Sequence, residues 1–150
     1  FDADPALRPG DINEVTTPSE LLAARDVVEA VYVASKDKEY VLDVVRETRE
    51  HPDIEHGGSP RASLAFLNAG KARAAIHGRE YVIPDDMKSL AAPILVHRLV
   101  LSTDAELSDV HTEGVVADIV DSVKPPVGID AEAVADTEAV GDGGNRTLGE

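Results

Sequence analysis

Aromatic side chains are scarce in this chain, and their scarcity limits the kind of core that it can build. Its 150 residues include two Phe, three Tyr and no Trp. Aromatic rings usually supply much of the apolar surface that a core buries, so this core must rely on Val, Leu, Ile and Ala. Alanine-rich cores are typical of helices that pack closely. The composition therefore favours an all-α fold.

Two dipeptides predict the starts of helices. Thr17-Pro18 and Ser59-Pro60 each place a hydroxyl at the N-cap and a proline at the first helical position, where no N–H is needed. Gly78 is expected to stop the helix that Ser59 begins. The apolar face of the first helix is expected to comprise Leu21, Leu22, Ala24, Val28 and Val31.

Three further helices follow from apolar residues at helical spacing. Ser35 is expected to cap the second helix, which His51-Pro52 ends. Pro93 is expected to break or kink the fourth helix. The five predicted helices span about residues 18–30, 36–50, 60–77, 84–100 and 109–123.

Two short stretches have the residue types of β-strands. Val31–Val33 and Arg79–Ile83 are the candidates, and we expect them to pair with each other. Residues 52–58 are expected to form a loop that closes on two glycines. The predicted fold class is therefore all-α, a four- to five-helix bundle with a short two-stranded β element.

The chain divides into three segments by composition. Residues 1–16 are acidic and contain proline, so we expect a linker that continues from a longer protein. Residues 17–127 form the helical domain. Residues 128–150 are acidic and glycine-rich without periodicity, which predicts a disordered C-terminal tail. No run of 18 or more apolar residues occurs, so no membrane-spanning helix is expected.

The net charge is strongly negative. There are 14 basic and 29 acidic residues, which give a formal charge of −15. Such a surface repels itself in dilute salt, but at 1 M salt the Debye length is only about 3 Å and the repulsion is screened. The composition therefore favours a halophilic source. It also argues against nucleic-acid binding, which requires a positive surface.

The middle third of the chain is positive despite this overall charge. Residues 56–100 have a net charge of +3, from three acidic residues and six basic ones, namely Arg61, Lys71, Arg73, Arg79, Lys88 and Arg98. One interpretation is that this third faces an anionic partner. The other is that its cations form ion pairs within the fold.

Motifs for catalysis or metal binding are missing from the 150 residues. The chain contains no Cys, no HExxH, no P-loop, no GxGxxG and no GxSxG, and no metal site is predicted. Asp85-Asp86 could bind a metal. In the first turn of a helix, however, paired acids more often complement the helix dipole.

Arg61 is the residue that most strongly suggests a ligand. It stands at the second position of the third predicted helix, where the helix dipole favours anions and mildly disfavours a cation. Free backbone N–H groups, the two preceding glycines and the guanidinium would together bind an anion such as phosphate. The alternative is that Arg61 folds back and pairs with Glu55 or another acid.

A known family shares these motifs in the same order. The segment GGSPRASLAFLNAGKARAAIHGREYVIPDDMKSLAAPILVHRLVLS, residues 57–102, resembles the lid of MoxR-family AAA+ ATPases. SPR, GR-YV-P-D and LA-P-L-HR carry the likeness, and TREHPDIEH before them is similar to the family's approach to its sensor-2 motif. A weaker likeness extends over residues 17–127, which would then be the lid domain, and a haloarchaeal member would suit the charge.

The resemblance implies a function for the anion site. Arg61 matches the sensor-2 arginine, which reaches the γ-phosphate of ATP, and Gly58, Ser59 and Pro60 would complete the cofactor-facing turn. ATP with Mg²⁺ would be bound by a core domain of the same polypeptide. The setting that the resemblance implies is a cytoplasmic, chaperone-like hexamer that acts with a von Willebrand factor A domain protein.

The sequence departs from the family pattern at two points. Ile83 stands where a Thr N-cap is usual, and Asp85 is expected to compensate for it. Walker A, Walker B, sensor 1 and the arginine finger lie outside this chain, so it should neither hydrolyse ATP alone nor bind it tightly. Two alternatives remain at this point, a free-standing helical adaptor with a basic binding face and a small DNA-binding domain.

Overall fold

The computed structural model describes residues 13–127 of the chain. Its elements in chain order are α1 (Pro18–Ala30), α2 (Ser35–Glu50), β1 (Ile54–His56), α3 (Pro60–Ile76), α4 (Pro84–Leu95), a 3-10 turn (Val96–Arg98), β2 (Val100–Leu101), α5 (Thr103–Leu107) and α6 (Thr112–Ser122). The predicted fold class, a helical bundle with one two-stranded element, is confirmed. The predicted tail 128–150 and most of the predicted linker 1–16 lie outside the described residues.

α1 begins with a capping box in which Thr17 is the N-cap, as predicted, and Glu20 is its partner. The Thr17 hydroxyl accepts a hydrogen bond from the Glu20 N–H at 3.3 Å, and the Glu20 carboxylate accepts one from the Thr17 N–H at 2.7 Å. The predicted inward face is wrong for most of the helix, because no residue of α1 is buried. Of the predicted face, Val28 is half-buried and Val31, just after the helix, is buried. Leu21 and Leu22 are 60% and 61% exposed. One contact that attaches α1 to α3 is a hydrogen bond from the Lys71 ammonium to the Glu29 carbonyl at 2.8 Å.

The second and third helices occupy nearly the predicted spans, but their caps differ from the prediction. Ser35 is the first residue of α2, and the N-cap is Ala34, which has no capping side chain. Ser59 is the N-cap of α3, as predicted, yet its hydroxyl makes no capping hydrogen bond. Gly78 stops the helix with a φ of 69°, a conformation that favours glycine.

The β-sheet joins segments that the sequence assigned differently. β1 lies in the predicted loop 52–58, and β2 lies at the end of the predicted fourth helix. They pair antiparallel, with Ile54 opposite Leu101, and the Ser102 N–H donates to the Asp53 carbonyl at 2.8 Å. The fourth helix ends at Leu95, two residues after Pro93, and the chain that follows turns to form this pairing.

The predicted pairing of residues 31–33 with 79–83 is present in a reduced form. Tyr32 and Tyr81 form one isolated parallel bridge. The Tyr32 N–H donates to the Glu80 carbonyl at 2.8 Å, and the Val82 N–H donates to the Tyr32 carbonyl at 3.0 Å. This bridge ties the link between α1 and α2 to the link between α3 and α4.

The last predicted helix begins later than predicted, and a short helix precedes it. Ser102 caps the short α5 by accepting a hydrogen bond from the Ala105 N–H at 3.3 Å. Asp109 then adopts a φ of 58°, which reverses the chain before α6 begins at Thr112. The predicted helix 109–123 therefore starts too early, and α5 was not predicted.

The core is aliphatic and close-packed, as the composition predicts. α3 and α4 approach each other so closely that a Cβ at Gly70 would lie 2.8 Å from the terminal carbon of Met87. The largest fully buried side chains are Phe66, Met87, Leu95, Ile119, Val41, Val116 and Thr48. Thr48 is the one polar member of that group, and it lies directly beside the candidate site.

Candidate functional site

The turn before α3 is fixed to the last turns of α2. The buried Thr48 hydroxyl donates to the Val45 carbonyl and accepts from the Gly58 N–H, both at 2.7 Å. The Arg49 Nε donates to the Gly58 carbonyl at 2.8 Å. Both backbone groups of Gly58 are therefore bonded within the fold, one to each of two adjacent side chains.

The two glycines of this turn allow a very close approach to α2. A Cβ at Gly57 would lie 2.6 Å from the Thr48 carbonyl oxygen and 2.8 Å from the Arg49 Cα. A Cβ at Gly58 would lie 3.3 Å from the Thr48 hydroxyl. Contacts below 3.0 Å with backbone atoms cannot be relieved by rotating a side chain, so Gly57 is required by packing.

The start of α3 presents its first residues to solvent. Ser59, Pro60 and Arg61 are all exposed, whereas the next residue, Ala62, is fully buried. Within residues 13–127 the Arg61 guanidinium makes no ion pair or hydrogen bond. The alternative in which Arg61 pairs with Glu55 is therefore not what the structure shows.

A cleft of about 150 Å³ lies between α2 and α3 next to this turn. Its buried polar atom is the Ser63 hydroxyl oxygen, which has no hydrogen-bond partner among the described residues. Arg46 at the rim is paired with Asp43 at 2.8 Å. The lining residues are Leu42, Val45, Arg46, Arg49, Pro60 and Ser63.

Half of the cations in the positive third are used inside the fold. Arg79 binds the Asp86 carboxylate through both terminal nitrogens, at 2.8 and 2.7 Å, and the Arg73 Nε lies 3.2 Å from the same carboxylate. Lys71 donates to the Glu29 carbonyl, as described above. Ion pairing within the fold therefore accounts for part of the local positive charge, and Arg61, Lys88 and Arg98 remain exposed.

Asp86 also caps α4. The sequence predicts that Asp85 compensates for the missing Thr N-cap at position 83, but Asp86 does so. The Asp86 carboxylate accepts a hydrogen bond from the Ile83 N–H at 3.1 Å, and its side chain is only 3% exposed. Asp85 is exposed, and its side chain makes no such bond. The expectation for Asp85 is wrong because the third helical position, not the second, reaches back to the N-cap.

Opposing effects set the charge of Asp86. Burial raises the pKa of its carboxyl group. The hydrogen bonds from Arg79 and from the Ile83 N–H, with the charges of Arg79 and Arg73, outweigh burial and hold the pKa below its ordinary value of 3.8. Asp86 is therefore a charged structural group that links α3 and α4.

Residues 13–127 contain neither a metal-ligand cluster nor a membrane-spanning helix. No group of three or more His, Asp or Glu residues there is arranged to hold a metal ion. No helix there is long and apolar enough to span a membrane.

Comparison with known proteins identifies the class of this fold. Residues 46–119, from α2 to α6, match the AAA lid domain family. A crystal structure of a candidate ATPase from Cytophaga hutchinsonii has the same fold, with a TM-score of 0.73 and 26% identity over 78% of this chain and 38% of that one. The chain is therefore an AAA+ lid domain.

The curated relatives narrow the class to one family. The chain is 30% identical over 129 residues to Chaperone MoxR1 of Mycobacterium tuberculosis, 80% of this chain and 34% of that protein. It is 41% identical over 49 residues to Protein MoxR of Paracoccus denitrificans, 33% of this chain and 14% of that protein. It is 36% identical over 116 residues to the uncharacterized protein YeaC of Bacillus subtilis, 77% of this chain and 36% of that protein.

The chain thus belongs to the MoxR-family AAA+ lid domains, as the resemblance predicted. It spans about a third of the length of the relatives that it matches most extensively, 36% of YeaC and 34% of MoxR1.

Proposed function

We propose that this lid closes over ATP bound to the core of a MoxR-type AAA+ ATPase, with Arg61 as the sensor-2 arginine at the γ-phosphate. The observation that carries the proposal is the state of Arg61. It is exposed at the second position of α3 and makes no ion pair or hydrogen bond with residues 13–127. Arg73 and Arg79, which lie in the same positive third of the chain, are by contrast paired with Asp86.

The electrostatics of a helix start explain why this arginine suits a phosphate. The dipole of α3 disfavours a cation at its N-terminus by a few tenths to about 1 kcal/mol. An anion bound there interacts favourably with both the helix end and the guanidinium, so it offsets that cost. The planar guanidinium fork also fits phosphate oxygens better than an ammonium group does.

The chain supplies one contact to the nucleotide and the core supplies the others. In phosphoryl transfer an arginine directed at the transferred group stabilises its negative charge. Gly58, Ser59 and Pro60 form the turn that presents Arg61, and the Ser59 hydroxyl is free of any capping bond. ATP and Mg²⁺ would be held by the core. One arginine and one helix end do not bind a triphosphate tightly by themselves.

The parent protein would use closure of the lid over ATP to act on other proteins. MoxR1, a relative, is named a chaperone. We propose a hexameric ring in the cytoplasm in which lid closure couples nucleotide state to remodelling of partner proteins, including a von Willebrand factor A domain protein. Neither nucleic acid nor a membrane surface is a proposed partner, since the net charge of −15 opposes both.

The alternative of a free-standing adaptor with a basic face receives less support. That face would need the cations of residues 56–100, but Lys71, Arg73 and Arg79 are bound within the fold. The remaining exposed cations lie on separate elements, at the start of α3, on α4 and in the 3-10 turn. A DNA-binding domain is disfavoured on the same ground.

The test is ATP turnover by the parent ATPase with Arg61→Ala. Loss of a transition-state charge contact predicts a fall in kcat of about two orders of magnitude, with folding and assembly intact. Arg61→Lys retains the positive charge but loses the planar guanidinium fork, so its kcat should lie between those of wild type and Arg61→Ala. Lys88→Ala is the matched control, because it removes an exposed cation of α4 and should leave turnover unchanged. Unchanged turnover in Arg61→Ala would make Arg61 structural and the proposal wrong.

A further inference from the structure

We propose that Thr48 and Arg49 are positioning residues for Arg61, holding the turn before α3 so that the guanidinium reaches the nucleotide in one fixed direction. The proposal rests on the function proposed above for Arg61. Its own evidence is the set of hydrogen bonds that joins the end of α2 to Gly58.

The geometry leaves this turn little freedom. Gly58 is bonded through its N–H to the Thr48 hydroxyl and through its carbonyl to the Arg49 Nε. The Thr48 hydroxyl is itself fixed by the bond to the Val45 carbonyl, so its proton is directed into α2 and its lone pair toward Gly58. Only two residues separate Gly58 from Arg61, and one of them, Pro60, has a fixed φ.

Burial makes the Thr48 bond hard to replace. Thr48 is fully buried and Gly58 is buried, so water cannot take the place of the hydroxyl. If the Gly58 N–H lost its acceptor it would remain unsatisfied, and the turn would move to expose it. Because Ser59 makes no capping bond with its own side chain, the bonds to Gly58 are the side-chain hydrogen bonds that hold the turn next to the start of α3.

Such a displacement would act on catalysis through Arg61. A transition-state contact depends on geometry, and a shift of about 1 Å can cost about a hundredfold in rate. Thr48 touches no nucleotide in this account. Its effect should therefore vanish when Arg61 is absent, whereas general damage to the lid would lower turnover regardless of residue 61.

A double-mutant cycle in the parent ATPase tests this dependence. Thr48→Val keeps the shape and removes the hydroxyl, and it should lower kcat by about tenfold or more with little change in the KM for ATP. In the Arg61→Ala background the same substitution should change kcat by less than about twofold. Thr48→Ser restores the hydroxyl and should stay within about threefold of wild type.

Each result of the cycle has one meaning. If Thr48→Val lowers kcat by the same factor in both backgrounds, or if it has no effect beside wild-type Arg61, the positioning role is wrong while the role of Arg61 stands. If Arg61→Ala itself leaves kcat unchanged, the proposed function fails and the positioning role fails with it. Loss of kcat that Thr48→Ser does not restore also contradicts the proposal, since the hydroxyl would then not be the cause.

Discussion

At the scale of single residues, the Asp86 carboxylate joins several parts of the fold, and no sequence motif indicated this role. It binds Arg73 of α3 and Arg79 of the following link, and it caps α4 through the Ile83 N–H. The sequence showed only that two acids begin a helix. Which of them is buried depends on where α3 lies, and that is set by packing between elements.

Replacing this carboxylate should destabilise the domain. Asp86→Asn removes the charge that two guanidiniums share, and because both arginines keep partial access to water we expect a loss of about 2–3 kcal/mol in the free energy of unfolding. Asp85→Asn is the control, because that side chain is exposed, and it should change stability by less than about 0.5 kcal/mol. Denaturant titration would measure both. Equal effects would mean that the ion pairs contribute nothing beyond dipole complementarity.

The same carboxylate gives stability a pH dependence with a defined sign. Because folding lowers the pKa of Asp86 from 3.8, its contribution is fully present above pH 3.8 and is lost as the pH falls through the lower pKa of the folded state. The stability difference between wild type and Asp86→Asn should therefore narrow below about pH 4. A difference that stays constant down to acid unfolding would contradict this account.

At the scale of elements, local signals were predictive and long-range ones were not. The helix starts at Thr17-Pro18 and Ser59-Pro60 are encoded within four residues, and both are confirmed. The sheet was missed because β1 and β2 have three and two residues, too few to show periodicity, and they pair across more than forty positions. The position of Arg61 in the first turn of α3 could be foreseen, but the anchoring of Gly58 by Thr48 could not, since it depends on how the chain folds back onto α2.

Two glycines should respond to alanine in opposite directions. At Gly57 a Cβ would meet backbone atoms of α2 at 2.6 and 2.8 Å, so Gly57→Ala should cost about 1–3 kcal/mol of stability. At Gly114 in α6 a Cβ meets nothing within 4 Å, so Gly114→Ala should stabilise by about 0.5–1 kcal/mol. Thermal and denaturant unfolding would compare them. A neutral Gly57→Ala would show that the turn does not need its close approach to α2.

At the scale of the whole molecule, the charge of −15 predicts how stability responds to salt. Self-repulsion among acidic side chains opposes the compact state, and multi-molar KCl should screen it. The denaturation midpoint should therefore rise from low salt to multi-molar KCl, as a halophilic source would require. An uncharged osmolyte at matched osmolality is the control. If the osmolyte raises the midpoint as much as KCl does, or if KCl has no effect, the electrostatic account and the halophilic assignment are both wrong.

The central claim, that Arg61 contacts the γ-phosphate, is tested most directly by nucleotide discrimination in the parent ATPase. The measurement is the Kd for a non-hydrolysable ATP analogue and for ADP, in wild type and in Arg61→Ala. The account predicts that Arg61→Ala weakens binding of the analogue by about tenfold or more and leaves the Kd for ADP unchanged, since only the analogue carries the γ-phosphate. Equal weakening of both nucleotides, or of neither, would contradict it.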